Sequence, residues 1–509
     1  MEWLPILPIL IPLATAVGCL LAWGRVGAQQ TISLAGSLLL FAASVLLLLV
    51  VDRDGIQVLG VGDWRPPFGI VLVIDRLSAL MVLLAGVLAP CIVTYAVVAI
   101  DDRRQHFGFH VLLQTLFLGV CGAFTTGDLF NLYVWFEVLL ISSFVLVALG
   151  GERAQLEGAI KYVTLNLLSS ITFLAAVGII YAVTGTLTMA DIARSITAGS
   201  PQPMATVAAS MLLVAFGIKA AVFPVFYWLP ASYHTPPIAV GAVMAGLMTK
   251  VGVYSLVRVY TLIFSHEQPY AGPLLAWCAA LTMIVGVLGA AAQGDIRRIL
   301  AFHSISQVGY MILGLAIFTP LALAGTMVYI VHHGLVKTNL FLIAGLIHRV
   351  GGSYQLNRLG GLYTSFPGLG LLFLVVAMSL AGIPPLSGFW AKLALVIASV
   401  ETHHWWLLAS ALGVSLLTLF SMVKIWAEAF WKPMPQMTPA DNEFPEAYDD
   451  EPDIPPTRVS WLAMTLPCVV LAAAMIAVGV FAGPVFEFAE RAAEELLNPQ
   501  VYIEAVFPV

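Results

Sequence analysis

Two lysines stand where lysine is costly. Residues 217–260 read GIKAAVFPVFYWLPASYHTPPIAVGAVMAGLMTKVGVYSLVRVY, two apolar runs joined by a Pro-rich loop, with Lys219 inside the first and Lys250 inside the second. A charge at the centre of a membrane-spanning helix costs roughly 2.5–3.5 kcal/mol on the insertion scale. What lysine offers there is proton exchange, because its proton affinity responds strongly to burial and to neighbouring charge. Pro224 follows Lys219 in the same run. A helical proline leaves the carbonyl four residues earlier, here Ala220, without its donor. Such backbone is tolerated in a membrane only against protein or a water-filled cavity. Lys219, and Lys250 with Tyr254 on its face, therefore read as stations on a proton path.

Further polar side chains sit in apolar runs. Glu137 lies mid-run in LYVWFEVLLISSFVLV, with Tyr133 one turn back on its face, and reads as an ion-pair partner among lysines. His303, Gln307 and Tyr310 form a polar stripe in DIRRILAFHSISQVGYMILG, a candidate water wire. In VYIVHHGLVKTNLFLIAGLIH, His333 and Lys337 face one way as a relay pair, while His332 points elsewhere. A metal site there would want more carboxylate, thiolate or imidazole ligands than are visible, so none is assigned. In SLAGIPPLSGFWAKLALVIAS, Pro384 and Pro385 should break the helix, and Lys392 follows the break. Lys424 is an auxiliary candidate, as a path exit or an interface anchor. Snorkelling accounts for Lys161 and Arg258, and Asp75 with Arg76 reads as structural. Gly241, Gly246 and Gly252 should let helices approach Lys250 closely.

The elements that position these groups are membrane spans. The 509 residues are 60% hydrophobic and 10% charged, against about 25% charged in a soluble domain. The first run lacks the basic flank of a signal peptide and reads as a retained span. Runs of about 20 apolar residues centre near residues 13, 40, 85, 115, 138, 172, 217, 250, 282, 308, 334, 385, 417 and 470. This predicts an all-α polytopic protein of about 14 spans, the third, eleventh and twelfth being too long for one straight crossing. Arg25, Arg103, Arg104, Arg153, Arg297, Arg298, Arg349, Arg358, Lys432 and Arg458 fall in one set of alternate loops. The other set holds fewer, among them Arg53, Arg65 and Arg194. The positive-inside rule then puts both termini outside the cytoplasm. The seventh and twelfth spans are both Pro-interrupted with an interior lysine and run oppositely, the signature of an inverted-topology repeat. The expected divisions are 1–105 (spans 1–3), 106–264 (first repeat, spans 4–8), 265–430 (second repeat, spans 9–13), 431–458 (an acidic, Pro-rich cytoplasmic loop) and 459–509 (span 14 and an amphipathic tail).

Glu137, Lys219 before FPVFYWLP, GAVMAGLMTKVGVYSLVRVY, HSISQVGYMILG, HHGLVKTNLFLIAG and GIPPLSGFWAKL, in that order, resemble the antiporter-like subunits. These occur in respiratory complex I, membrane-bound hydrogenases and Mrp-type cation/proton antiporters. The resemblance covers about residues 70–430 and is nearest to the D-type Mrp subunits, since the M-type complex I subunit has Glu where Lys392 stands. It implies two inverted halves around a midplane polar axis. Glu137 would be the ion-pair partner of Lys219, Lys250 and Lys337 the central relay, and Lys392 the terminal group. It further implies a bacterial cell-membrane complex with other Mrp subunits that exchanges Na⁺ for H⁺.

Two other readings stay open at this point: a proton-pumping module of a redox complex, and a structural membrane subunit that moves nothing. The five cysteines are scattered singly, without metal-ligand spacing. No phosphate loop or dinucleotide fingerprint occurs, so the sequence points to a transporter subunit rather than an enzyme. No cofactor and no nucleic-acid partner is expected.

Overall fold

The apolar runs fold as helices, in which a segment satisfies its own backbone inside a bilayer. The computed structural model describes residues 3–64, 66–198, 203–435 and 458–508. Among them, 12 helices are long and apolar enough to cross a membrane, and two shorter apolar helices lie between. In chain order they are α1 (Leu4–Leu21), α2 (Val26–Asp54), α3 (Arg76–Ala99), α4 (Phe109–Thr125), α5 (Leu129–Ala148), α6 (Arg153–Thr184), α7 (Pro203–Ala220) and α8 (Ile238–Leu262). There follow α9 (Gln268–Ala292), α10 (Ile296–Ile317), α11 (Pro320–Gly351), α12a (Pro367–Ala381), α13 (Trp405–Trp426) and α14 (Arg458–Val480); a further helix, α12b (Ser387–Glu401), follows α12a across a short gap. Every expected centre falls within one of these except residue 385, which lies in the gap between α12a and α12b.

Side-chain caps fix several helix starts. Asp75 accepts from the Ser78 N–H, Asp128 from Asn131 and Asp295 from Arg298, at 2.7–3.0 Å, each satisfying an otherwise orphan donor. The Asp75 cap also explains the over-long third run. Its first residues, Val71–Ile74, form strand β2, antiparallel to β1 (Gln57–Gly60), and the helix begins only at Arg76. The eleventh run is a single 32-residue helix.

Burial sorts the helices into a centre and a rim. The apolar stretch of α8 is wholly buried, and those of α10 and α11 nearly so, whereas α6 and α13 are one-third buried. The helices that carry Lys250, His303, His332, His333 and Lys337 are therefore the innermost ones, the placement expected of polar groups in a membrane bundle. The predicted glycine approaches are present. A Cβ on Gly246 would lie 2.2 Å from Thr338 Oγ1 on α11, and one on Gly252 would lie 2.5 Å from the Ala220 nitrogen of α7.

Both expected helix breaks occur. After α7 the chain is irregular until a short helix, Trp228–Ser232, and α12a stops at Ala381, before Pro384 and Pro385. The α7 break differs from expectation, because the helix ends at Ala220 and Pro224 lies outside it. The tail is amphipathic as read: α15 (Ala482–Leu497) buries Ala489, Ala492, Ala493 and Leu496 and exposes Glu487, Glu490 and Glu494. A last helix, α16 (Pro499–Val506), follows. The β-hairpin and the short helix Met189–Ala198 were not anticipated. Arg65 and residues 436–457 of the acidic loop lie outside the described residues.

Candidate functional site

Four lysines are packed in the bundle interior. Lys219, Lys250, Lys337 and Lys392 are 5, 0, 0 and 7% exposed. None of the four has a carboxylate oxygen within the 4.0 Å of an ion pair among the described residues. Their partners are hydroxyl and backbone oxygens.

Lys219 occupies the last turn of α7, donates to Ser170 Oγ on α6 at 3.3 Å and lies 5.3 Å from the Phe136 ring centroid. The carbonyls freed at this helix end are taken up locally. Ile218 O accepts from Trp228 Nε1 at 2.9 Å, and Gly217 O accepts from the Val222 N–H at 2.9 Å. Beyond the break, the Phe223 N–H donates to Thr282 Oγ1 at 2.9 Å. Glu137 acts electrostatically on Lys219, but the expected ion pair is not closed. Glu137 is half-buried, and its Oε1 is buried without a hydrogen-bond partner.

Lys250 follows a wide π-turn, Met244–Met248, a distortion frequent at functional sites, and donates to the Ala245 carbonyl. Lys337 donates to the Leu300 carbonyl of α10 at 2.8 Å. The two lysines interact electrostatically. His333 feels both, and neither of its ring nitrogens has a hydrogen-bond partner. The structure thus brings His333 close enough to feel Lys337, as their spacing suggests, and adds Lys250 to them.

Lys392 donates to the Leu380 and Ala381 carbonyls at 3.0 and 2.9 Å and lies 5.1 Å from the Tyr310 ring centroid. His332 does point away from Lys337, toward the α12 break. Its Nδ1 is 2.8 Å from Ser387 Oγ, and a Cβ on Gly388 would come within 2.7 Å of its ring. His303 feels both Lys337 and Lys392, and its Nε2 is 2.8 Å from Ser421 Oγ on α13.

The members of the His303, Gln307 and Tyr310 stripe each have their own partner: His303 meets Ser421, Gln307 accepts from Tyr329, and Tyr310 donates to the Ala411 carbonyl. Lys424 caps the end of α9 through the Ala291 and Gln293 carbonyls, at 3.2 and 2.8 Å, and is a structural anchor. Tyr254 donates to the Phe124 carbonyl at 2.9 Å and sits 3.0 Å from Ser78 Oγ, so its hydroxyl bonds other helices rather than Lys250. Arg258 does not snorkel. It is 2% exposed and makes a two-pronged pair with Asp75 at 2.6 and 2.7 Å. Lys161 is exposed and paired with Glu157.

Sequence reasoning missed a polar cavity of about 430 Å³ at the bundle end opposite the chain termini, lined by Glu157, Lys161, His234, Thr235, Gln293 and Arg298 among others. Its residues come from three stretches, 154–161, 230–235 and 293–302, far apart in the chain, so no local signal marks it. Among the described residues, no three His, Cys, Asp or Glu side chains group as metal ligands.

Two interrupted helices and basic side chains buried between apolar helices define a polytopic membrane protein. The family described as NADH:quinone oxidoreductase/Mrp antiporter, TM, matches residues 126–418, and the chain belongs to it. The chain is 42% identical over 506 residues, 99% of each sequence, to a protein of Alkalihalophilus pseudofirmus named as the D subunit of a Na(+)/H(+) antiporter. A chain in the Mrp complex structure from Dietzia sp. DQ12-45-1b superposes with a TM-score of 0.89 at 33% identity, covering 99% of this chain and 100% of that one. A chain of respiratory complex I from Thermus thermophilus with bound NADH shares the fold, with a TM-score of 0.79 at 24% identity over 97% of this chain and 100% of that one.

Proposed function

We propose that this chain is the proton-translocating D-type subunit of a multisubunit Na⁺/H⁺ antiporter in a bacterial cell membrane. The observation that carries the reading is the file of four buried lysines without carboxylate partners, in a chain 42% identical along its length to the D-type subunit of a Na⁺/H⁺ antiporter. A buried cation without a counter-ion is expensive to hold. Groups so placed make sense where protons come and go.

In this reading the termini lie outside the cytoplasm, external protons are exchanged for cytoplasmic Na⁺, and the polar cavity beyond the α7 break releases protons to the cytoplasmic side. Lys219 and Glu137 form the first station, Lys250, His333 and Lys337 the central relay, and His303, His332 and Lys392 the last. Residues 106–264 and 265–430 are the two inverted halves. Closing or opening the Glu137–Lys219 contact changes the charge seen by the next lysine, so a protonation state passes sideways by coupled titration. Other subunits of the complex carry out the exchange together with this one.

The test is Lys219→Ala in the assembled complex, assayed in inverted membrane vesicles. Na⁺-dependent proton exchange should vanish while the subunit still co-purifies with its partners. Exchange at the parental rate would refute the proposal.

A further inference from the structure

A second charged cluster lies outside the file of lysines. It begins one turn beyond Lys250 and runs to the end of the bundle that carries the chain termini. Tyr254 meets Ser78 Oγ at 3.0 Å, and Ser78 Oγ accepts from Arg258 Nη2 at 3.2 Å. Arg258 grips Asp75, both about 2% exposed. The Arg258 guanidinium is flanked by two rings, with Tyr254 at 5.5 Å and Tyr502 at 5.2 Å from their centroids. Tyr502 belongs to α16, is 4% exposed, and so reaches into the bundle from the tail. Next to Asp75, Arg76 binds Glu495 of α15 and lies 3.5 Å from Asp52. Asp52 also meets Arg491 of α15 at 2.9 Å. Two ionic contacts, Arg76–Glu495 and Arg491–Asp52, and one ring thus fix the tail over the ends of α2, α3 and α8.

This arrangement has the chemistry of a barrier. The Tyr254 and Ser78 hydroxyls stand one helical turn from a protonatable lysine, on the side toward the surface, and such groups would extend a proton path outward if nothing interrupted it. Arginine interrupts it, because it stays protonated in proteins, and a fixed cation in a polar lane repels incoming protons and cations. Asp75 supplies the compensating charge and holds the guanidinium in one orientation, and the Tyr502 ring closes the surface side.

We propose that the Asp75–Arg258 pair, held by Tyr254 and by Tyr502 of the tail, is the proton seal on the terminal-bearing end of the first half, so that Lys250 can pass its proton only sideways to Lys337. This rests on the proton-translocation reading above and adds a role for the tail, as the part that keeps the seal shut.

The experiment uses the assembled complex in sealed vesicles without Na⁺ and follows the decay of an imposed pH gradient. Asp75→Asn combined with Arg258→Gln removes both charges and keeps polar side chains that can bond each other. The expected result is a decay faster by roughly tenfold, equivalent to a barrier lowered by about 1.4 kcal/mol. Tyr502→Leu, which keeps burial but removes the ring and hydroxyl, should accelerate the decay to a smaller degree, and serves if the double variant fails to assemble. Lys250→Ala in the leaky background should restore the slow decay. An assembled double variant, or failing that an assembled Tyr502→Leu variant, that holds the gradient like the parent overturns the seal. Exchange surviving Lys219→Ala removes the translocation reading instead, so the two failures are told apart.

Discussion

Lys392 and Ala381 meet across the gap in their own helix. The ammonium of α12b is 2.9 Å from the Ala381 carbonyl and 3.0 Å from that of Leu380, so the second half supplies the cap of the first. Lys219 reaches the same kind of end from within α7. Each cation thus sits at the carbonyl end of a half-helix, where the aligned peptide dipoles favour positive charge. Each also faces a ring, Phe136 at 5.3 Å and Tyr310 at 5.1 Å. Each break opens on a left-handed residue, Ala221 at φ 60° and Gly382 at φ 95°.

The double duty of Lys392 can be separated. Lys392→Met leaves two buried carbonyls without their donor, a loss of about 1–3 kcal/mol for each group left unsatisfied, and should lower both thermal stability and exchange. Lys392→Arg keeps a donor at the break but cannot release its proton. It should melt near the parent and exchange at less than roughly a tenth of the parental rate. Thermal melts and vesicle exchange on the same preparations check both.

Gly252 and Gly217 should respond oppositely to alanine. A Cβ at Gly252 would meet backbone atoms of Lys219 and Ala220 at 2.5–2.9 Å, which cannot move aside, so Gly252→Ala should cost about 1–3 kcal/mol and displace α8 from the break. A Cβ at Gly217 meets nothing within 4 Å, and helix-interior alanine is favoured over glycine by roughly 0.5–1 kcal/mol. Gly217→Ala should therefore raise the melting temperature slightly with exchange unchanged.

Ala221 holds a left-handed conformation at φ 60°, which costs an L-residue with a Cβ roughly 1–2 kcal/mol. Ala221→Gly should raise stability within that range, read as a higher melting temperature in detergent. Ala221→Val should lower it, because a β-branched side chain tolerates the conformation less well.

His234, in the loop between α7 and α8, is pushed down to about 4 by burial, with Arg298 adding to the effect. The unfolded chain takes up a proton near pH 6.5 and the fold does not until about pH 4. The neutral ring's contribution is therefore complete above pH 6.5 and is lost as the pH falls from 6.5 to 4, by roughly 3 kcal/mol in total. His234→Asn can still donate to the Pro230 carbonyl, which His234 Nδ1 meets at 2.7 Å. Melting temperatures measured across that window should fall less steeply in the variant than in the parent.

Much of this protein was legible in order along the chain. The spans, both helix interruptions, the glycine contacts of Gly241, Gly246 and Gly252, and the amphipathic tail follow from local composition and spacing, which act over one helix or its neighbour. Arg258 shows where that reach ends. On its helix it looked like a snorkelling surface residue, and its partner Asp75 is 183 positions away. Tyr254 shows the same limit, since its partner Phe124 sits on another helix, and of the two roles open to Lys424 only the fold shows that it bonds the end of α9.

The order of residues alone settles which groups are charged inside oil and which helices must break, because the cost of a buried charge and the missing donor of a proline belong to single residues. Which charges meet is a matter of how the helices pack. Packing left Glu137 and Lys219 apart, drew Lys250, His333 and Lys337 together from two helices, and gave Lys219 a hydroxyl partner but Lys392 the carbonyls of its break. The physical reason is that electrostatic contact depends on distance in space, and distance between helices is set by packing rather than by position in the chain.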